Sequence, residues 1–177
     1  MMRITEARLR TIIRATLLAE SNGAPLYTGI VLSETGVAQL REKIYELDLI
    51  KQIPGWLTSK PASHGNEQLN HHMTLSMGAL KPNNPLRGAL DTPVPLRVVG
   101  WGVSNDLGVA AWQVVPPEGF PVSTGNPHIT AALATPEVRP FAAAKITSWE
   151  PLAEPFMIVG TLAEVYPVVR SDAPGPS

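Results

Sequence analysis

Asn70-His71-His72-Met73-Thr74-Leu75-Ser76-Met77-Gly78 and Gly125-Asn126-Pro127-His128-Ile129-Thr130-Ala131-Ala132-Leu133 are two versions of one pattern. Each reads as His-x-Thr at the start of an apolar, strand-like run. Residues i and i+2 of a strand point to the same face, so His72 stands beside Thr74 and His128 beside Thr130. His71 neighbours His72 and is expected on the opposite face, as a structural residue. A single His-x-Thr is more often a structural histidine than a reactive one. Two copies, each following a loop, in a chain with only four histidines, read as a pair facing one substrate.

The rest of the chain reads outward from these strands. Residues 5–20 are a helix candidate with Thr5 as N-cap and an apolar stripe of Leu9, Ile12, Ile13 and Leu17. A strand over 27–33 is followed by a helix over 35–47, with Val37, Leu40, Ile44 and Leu47 at spacings of three and four. Residues 51–69 read as a loop, in which Lys60 and His64 either approach the mouth of the site or lie on an ordinary surface loop. Residues 96–103 and 109–115 read as a hairpin around Ser104-Asn105-Asp106-Leu107-Gly108. A short helix over 140–147 and a last strand over 156–165 complete the order. Gly100 and Gly102 share a face of the hairpin strand, a pattern that marks close approach of another group. Trp101, opposite them, either stacks on a base or fills the core. Each half of the chain supplies one His-x-Thr strand, which predicts two lobes around a central groove. Residues 1–22 are expected to form a leader helix, 23–170 the domain and 171–177 a disordered tail.

Composition narrows the chemistry. The 177 residues carry a net charge of −1 and include no cysteine, so disulfides, thiolate nucleophiles and cysteine-based zinc sites are excluded. No apolar run is long enough to cross a membrane, and arginines interrupt the start of the chain where a signal peptide would be apolar. A soluble protein of the cytoplasm is expected, with no membrane partner; the oligomeric state is not legible. The eighteen prolines cluster between the expected elements and argue for a loop-rich α+β chain. Phosphate-binding glycine loops, nucleophile elbows and His-Glu-x-x-His are all missing. No cofactor and no metal are therefore expected.

Two histidines on opposite sides of one phosphate suit the division of labour in opening a cyclic phosphodiester. One takes the proton of the attacking water and the other protonates the leaving oxygen. Threonine hydroxyls two residues on can donate to the non-bridging oxygens. Which histidine plays which part is open at this point.

With these residues in hand, the chain resembles the two-histidine phosphoesterase superfamily over about residues 26–166, on the strength of the paired His-x-Thr motifs. Gly125 to Ala134 running into Val138-Arg139-Pro140, and the hairpin strand Val98 to Val103 with Ala110-Ala111, look most like the cyclic phosphodiesterase domains of tRNA ligases and of the myelin nucleotide phosphodiesterase. The resemblance implies a bilobal α+β fold, two antiparallel sheets around a central groove, with His72, Thr74, His128 and Thr130 in that groove. It implies a nucleotide or RNA substrate with a cyclic phosphodiester: a 2′,3′-cyclic phosphate at an RNA end, or a cyclic oligonucleotide immune signal. Tyr27, Lys60, Trp101 and Arg139 are the candidates for lining the substrate pocket. Residues 4–14 are similar to a helical leader found on many tailed-phage proteins, which favours the immune-signal class and a viral origin. The competing readings are a nucleotide- or RNA-binding module without catalysis and a virion-associated protein.

Overall fold

The computed structural model describes residues 24–58, 69–120, 122 and 125–166. The expected leader helix over 1–22, the tail over 171–177, Lys60 and His64 lie outside the described residues. Strand β1 (Tyr27–Leu32) leads into helix α1 (Glu34–Glu46); then come β2 (His72–Met77), β3 (Pro93–Ser104), β4 (Val109–Val115), β5 (His128–Leu133) and β6 (Glu150–Val165). The segment over 140–147 is a 3₁₀ turn, Pro140–Lys145, rather than an α-helix.

The expected division into two lobes with two sheets is not what forms. All six strands join one antiparallel sheet in the order β2-β1-β6-β3-β4-β5. The seam between the halves of the chain is a continuous ladder, because β6 is 16 residues long. Residues 160–165 of it pair with β1 and residues 150–161 run along β3, from Pro93 opposite Thr161 to Trp101 opposite Glu150. The prolines that read as loop turn out to be strand. Pro93 and Pro95 precede Arg97, where β3 begins to pair with β4, and Pro151 and Pro155 precede Gly160, where β6 begins to pair with β1. At those positions the ladder has a neighbour on one side only, and a proline is tolerated there where its nitrogen faces the open side.

Helix α1 forms where its sequence signals place it. The Ser33 hydroxyl accepts from Gly36 N at 3.2 Å, Glu34 stands in the first turn and Lys43 in the last. Leu40 and Ile44 are fully buried against one face of the sheet, while Leu47, expected on the same stripe, is exposed at the C-cap. That face carries the main core. Trp101 and Trp112 meet edge to face at 4.7 Å, and Phe156 stands edge-on to Trp112 at 6.0 Å. A smaller apolar cluster of Leu69, Val109, Ala111, Leu133, Ala143 and Ile146 sits apart from it, beneath the 3₁₀ turn.

The sheet curls until its edges nearly meet, and Asn70 joins them. Its N–H donates to Thr130 O at 2.8 Å, its carboxamide donates to Ala131 O at 3.2 Å and to Thr58 O at 3.4 Å, and its Oδ1 accepts from the Trp112 indole at 3.1 Å. The residue is fully buried and takes a left-handed backbone, φ 58°, a region asparagine enters more readily than most residues. With an even number of antiparallel strands, the two edge strands run in opposite directions. Stepping two residues from Asn70 along one edge and two back from Thr130 along the other brings His72 level with His128.

Asn70→Ala removes the amide, leaves the Trp112 N–H unpaired in the core and forces alanine into left-handed backbone. About 2–4 kcal/mol of unfolding free energy should be lost in urea titrations, with Asn70→Gly losing less because it keeps the backbone. A loss under about 0.5 kcal/mol for the alanine variant would contradict the role given to this residue.

Candidate active site

His72 and Thr74 lie on the sheet face opposite the main core, in register with Val31 and Gly29 of β1. Met73 and Leu75, between and beyond them, point into the core. The register slips once, with Thr28 opposite Ser76 and Gly29 opposite Thr74, so Leu75 is the extra residue. Gly29 is where the strands crowd most: a methyl group there would lie 2.5 Å from Met73 O and 3.3 Å from the Tyr27 ring. The missing side chain lets Tyr27 lean along its own strand and stack on His72, ring centroids 4.7 Å apart and planes at 24°.

The imidazole of His71 stands edge-on to that of His72 at 6.0 Å. The alternation expected to send it to the far face does not govern it, because the strand begins only at His72. Its carbonyl accepts from Leu32 N at 2.7 Å. Tyr27 Oη, His71 Nδ1 and His72 Nδ1 are all buried with no hydrogen-bond partner among the described residues. Burial pushes the His72 pKa down to about 4, and the neighbouring imidazoles of His71 and His128 push the same way. Burial also lowers His71 and raises the Tyr27 phenol to about 12.

On the other edge, His128 and Thr130 share a face and Ile129 enters the core. His128 Nδ1 lies 2.7 Å from Asn126 O. A carbonyl only accepts, so Nδ1 carries the proton and Nε2 is left free for the groove. Burial lowers the His128 pKa, and the bond to Asn126 O opposes that shift. Thr130 Oγ1 donates to Pro140 O at 3.1 Å. The Thr74 hydroxyl donates to no described residue, so the two threonines differ in how free they are.

The two motif histidines therefore meet across the joined edges, with Thr74 and Thr130 two residues to either side of that row, and the substrate candidates divide. Tyr27 is at the site but is engaged with His72. Trp101 is 1% exposed on the core face, its indole N–H donating to Gln52 Oε1 at 3.1 Å, which makes the core reading of that residue the right one. Arg139 is exposed and caps the 3₁₀ turn next to Pro140, one residue from the carbonyl that holds Thr130. Residues the sequence did not flag are Asn70, Gly29 and Asn126. For Asn70 a signal existed, since asparagine directly before a strand is a residue that tolerates left-handed backbone. Among the described residues no group of three His, Asp or Glu side chains could hold a metal ion. No family model and no curated protein matches the chain.

His72 is neutral in the folded protein down to about pH 4, whereas in an unfolded chain it takes a proton near pH 6.5. Between those values the unfolded state binds the extra proton, so stability falls as the pH drops and levels off above pH 6.5. Urea midpoints of wild type and His72→Asn at pH 7.5 and 5.0 read this directly: the variant should lose less on acidification. Equal losses would show that His72 is not held neutral.

Proposed function

We propose that the chain is a phosphodiesterase of the two-histidine type, opening cyclic phosphodiesters of nucleotides by acid–base catalysis between His72 and His128 without a metal. The observation that supports this most is the meeting of the two histidines from opposite edges of one sheet in unequal environments. General acid–base catalysis at neutral pH needs two groups of which one holds a proton and the other does not. His128, with its Nδ1–H held by Asn126 O, is the better proton holder and serves as the acid through Nε2. His72, deeper and flanked by imidazoles, serves as the base.

With a cyclic phosphate between them, His72 takes a proton from water as the water oxygen bonds to phosphorus. The bond from phosphorus to one ribose oxygen breaks, and that oxygen receives the proton from His128. The protons are then redistributed through solvent. The phosphate charge raises the proton affinity of both rings and offsets the burial of His72. Thr74 donates its free hydroxyl to a non-bridging oxygen. Thr130 joins it by exchanging the Pro140 carbonyl for a phosphate oxygen. The substrate class comprises 2′,3′-cyclic phosphate RNA ends and cyclic oligonucleotide signals, and the phage-like residues 4–14 favour the second.

His72→Ala and His128→Ala should each reduce kcat/KM by about 10²-fold or more with little change in thermal midpoint, and EDTA should leave the wild-type rate unchanged. The assay panel is 2′,3′-cyclic mononucleotides, cyclic-phosphate RNA ends and cyclic di- and trinucleotides. Full activity in either alanine variant, or no turnover of any of these by the wild type, would overturn the reading.

A further inference from the structure

Gly100 and Gly102 of β3 mark a close approach, of Gln113 at the first and of Trp149 and Ile146 at the second. A methyl group on Gly100 would lie 2.7 Å from Gln113 Oε1, and one on Gly102 would lie 2.7 Å from the Trp149 ring. Gly100 is directly opposite Gln113 across β3 and β4, and Gln113 is directly opposite His128 across β4 and β5. Paired residues of antiparallel strands share a face, so the Gln113 carboxamide lies on the histidine face, one strand spacing in from His128, about 4.8 Å. It is half-buried, and no described residue hydrogen-bonds it. The next row is Gly102, Ala111 and Thr130. There Trp149 covers Gly102 beside Ile146, with its indole N–H buried and without a partner among the described residues.

We propose that Gln113 reads the nucleobase of the substrate whose phosphate lies between His72 and His128, with Trp149 as the flat wall beside it; the inference rests on the function proposed above. A carboxamide offers one acceptor and two donors in a plane, which matches the mixed donor and acceptor edge of a base. A phosphate oxygen only accepts and is already served by the histidines and threonines. Gly100 fixes where the amide rests: with no side chain beneath it, the glutamine lies along the sheet toward β3 and leaves the space over His128 open. Base binding on this side also orients the ribose, so that the oxygen next to His128 is the one that leaves.

The test is a comparison of wild type, Gln113→Ala and Gln113→Glu, using calorimetric titration with the four 2′-nucleoside monophosphates and with inorganic phosphate, and kinetics on the four 2′,3′-cyclic mononucleotides. Loss of one such hydrogen bond should weaken nucleotide binding about three- to tenfold and narrow the spread among the four bases. Inorganic phosphate should bind as before. The glutamate variant, of equal size but without donors, should change which bases are preferred. Unchanged nucleotide affinity and an unchanged base order in active Gln113→Ala would overturn this inference alone. Gln113-dependent nucleotide binding by a wild type that opens no cyclic phosphate would support it while ending the catalytic reading. Failure of the wild type to bind any of the nucleotides would overturn both.

Discussion

The site depends on a single buried asparagine. An open antiparallel sheet leaves its first and last strands apart, with unpaired backbone groups along both edges. In this chain the His-x-Thr side chains sit on those two edge strands, so the distance between the edges sets whether they can share one site. Asn70 spans the gap with its N–H and its carboxamide, and anchors itself on the Trp112 indole in the core. The Trp112 bond ties the closure to the best-packed part of the molecule, where Trp101, Trp112 and Phe156 meet. Leu57, bridged in both directions to Leu133, covers the next stretch of the β5 edge. The same bonds that protect the edges bring His72 level with His128.

Two copies of one tripeptide end up chemically unequal. His72 lies under Tyr27, edge-on to His71 and within the field of His128, with no acceptor for its Nδ1 among the described residues. His128 has a backbone acceptor at 2.7 Å. A hydrogen bond to a carbonyl favours the charged imidazole, and burial among other imidazoles disfavours it. The asymmetry arises from neighbours and not from the motif. It is also fixed by packing: Gly29 leaves room for Tyr27 to stack, and any side chain at position 29 would press on the Met73 carbonyl.

Much of this was legible in the sequence where local signals act alone. The spacing of Val37, Leu40 and Ile44 announced α1, the Asn105–Gly108 stretch announced the hairpin, and His-x-Thr alternation set the face of each motif strand. The Ser33 cap was not legible, because residue 33 reads as the end of the strand. The joining of the halves was not legible, because Pro93, Pro95, Pro151 and Pro155 look like loop until one knows that the ladder is one-sided at each of them. The bilobal expectation failed at that point. Trp101 had two readings, and only its pairing opposite Trp112, away from the histidines, decides between them. His71 was assigned by an alternation that starts one residue too late to reach it. Gly29 and Asn126 act through a close approach and through a backbone carbonyl, neither of which a residue's identity announces.

On the proposed reading, two edge strands present both histidines to one phosphate. The most direct measurement follows the imidazole signals of His72 and His128 by NMR while a 2′-nucleoside monophosphate is titrated in at pH 7. Both rings should shift along the same 1:1 isotherm, and the titration midpoint of His72 should rise from about 4 when the nucleotide is bound. Movement of one histidine alone, or of the two along isotherms of different affinity, would contradict a single site shared between the edges.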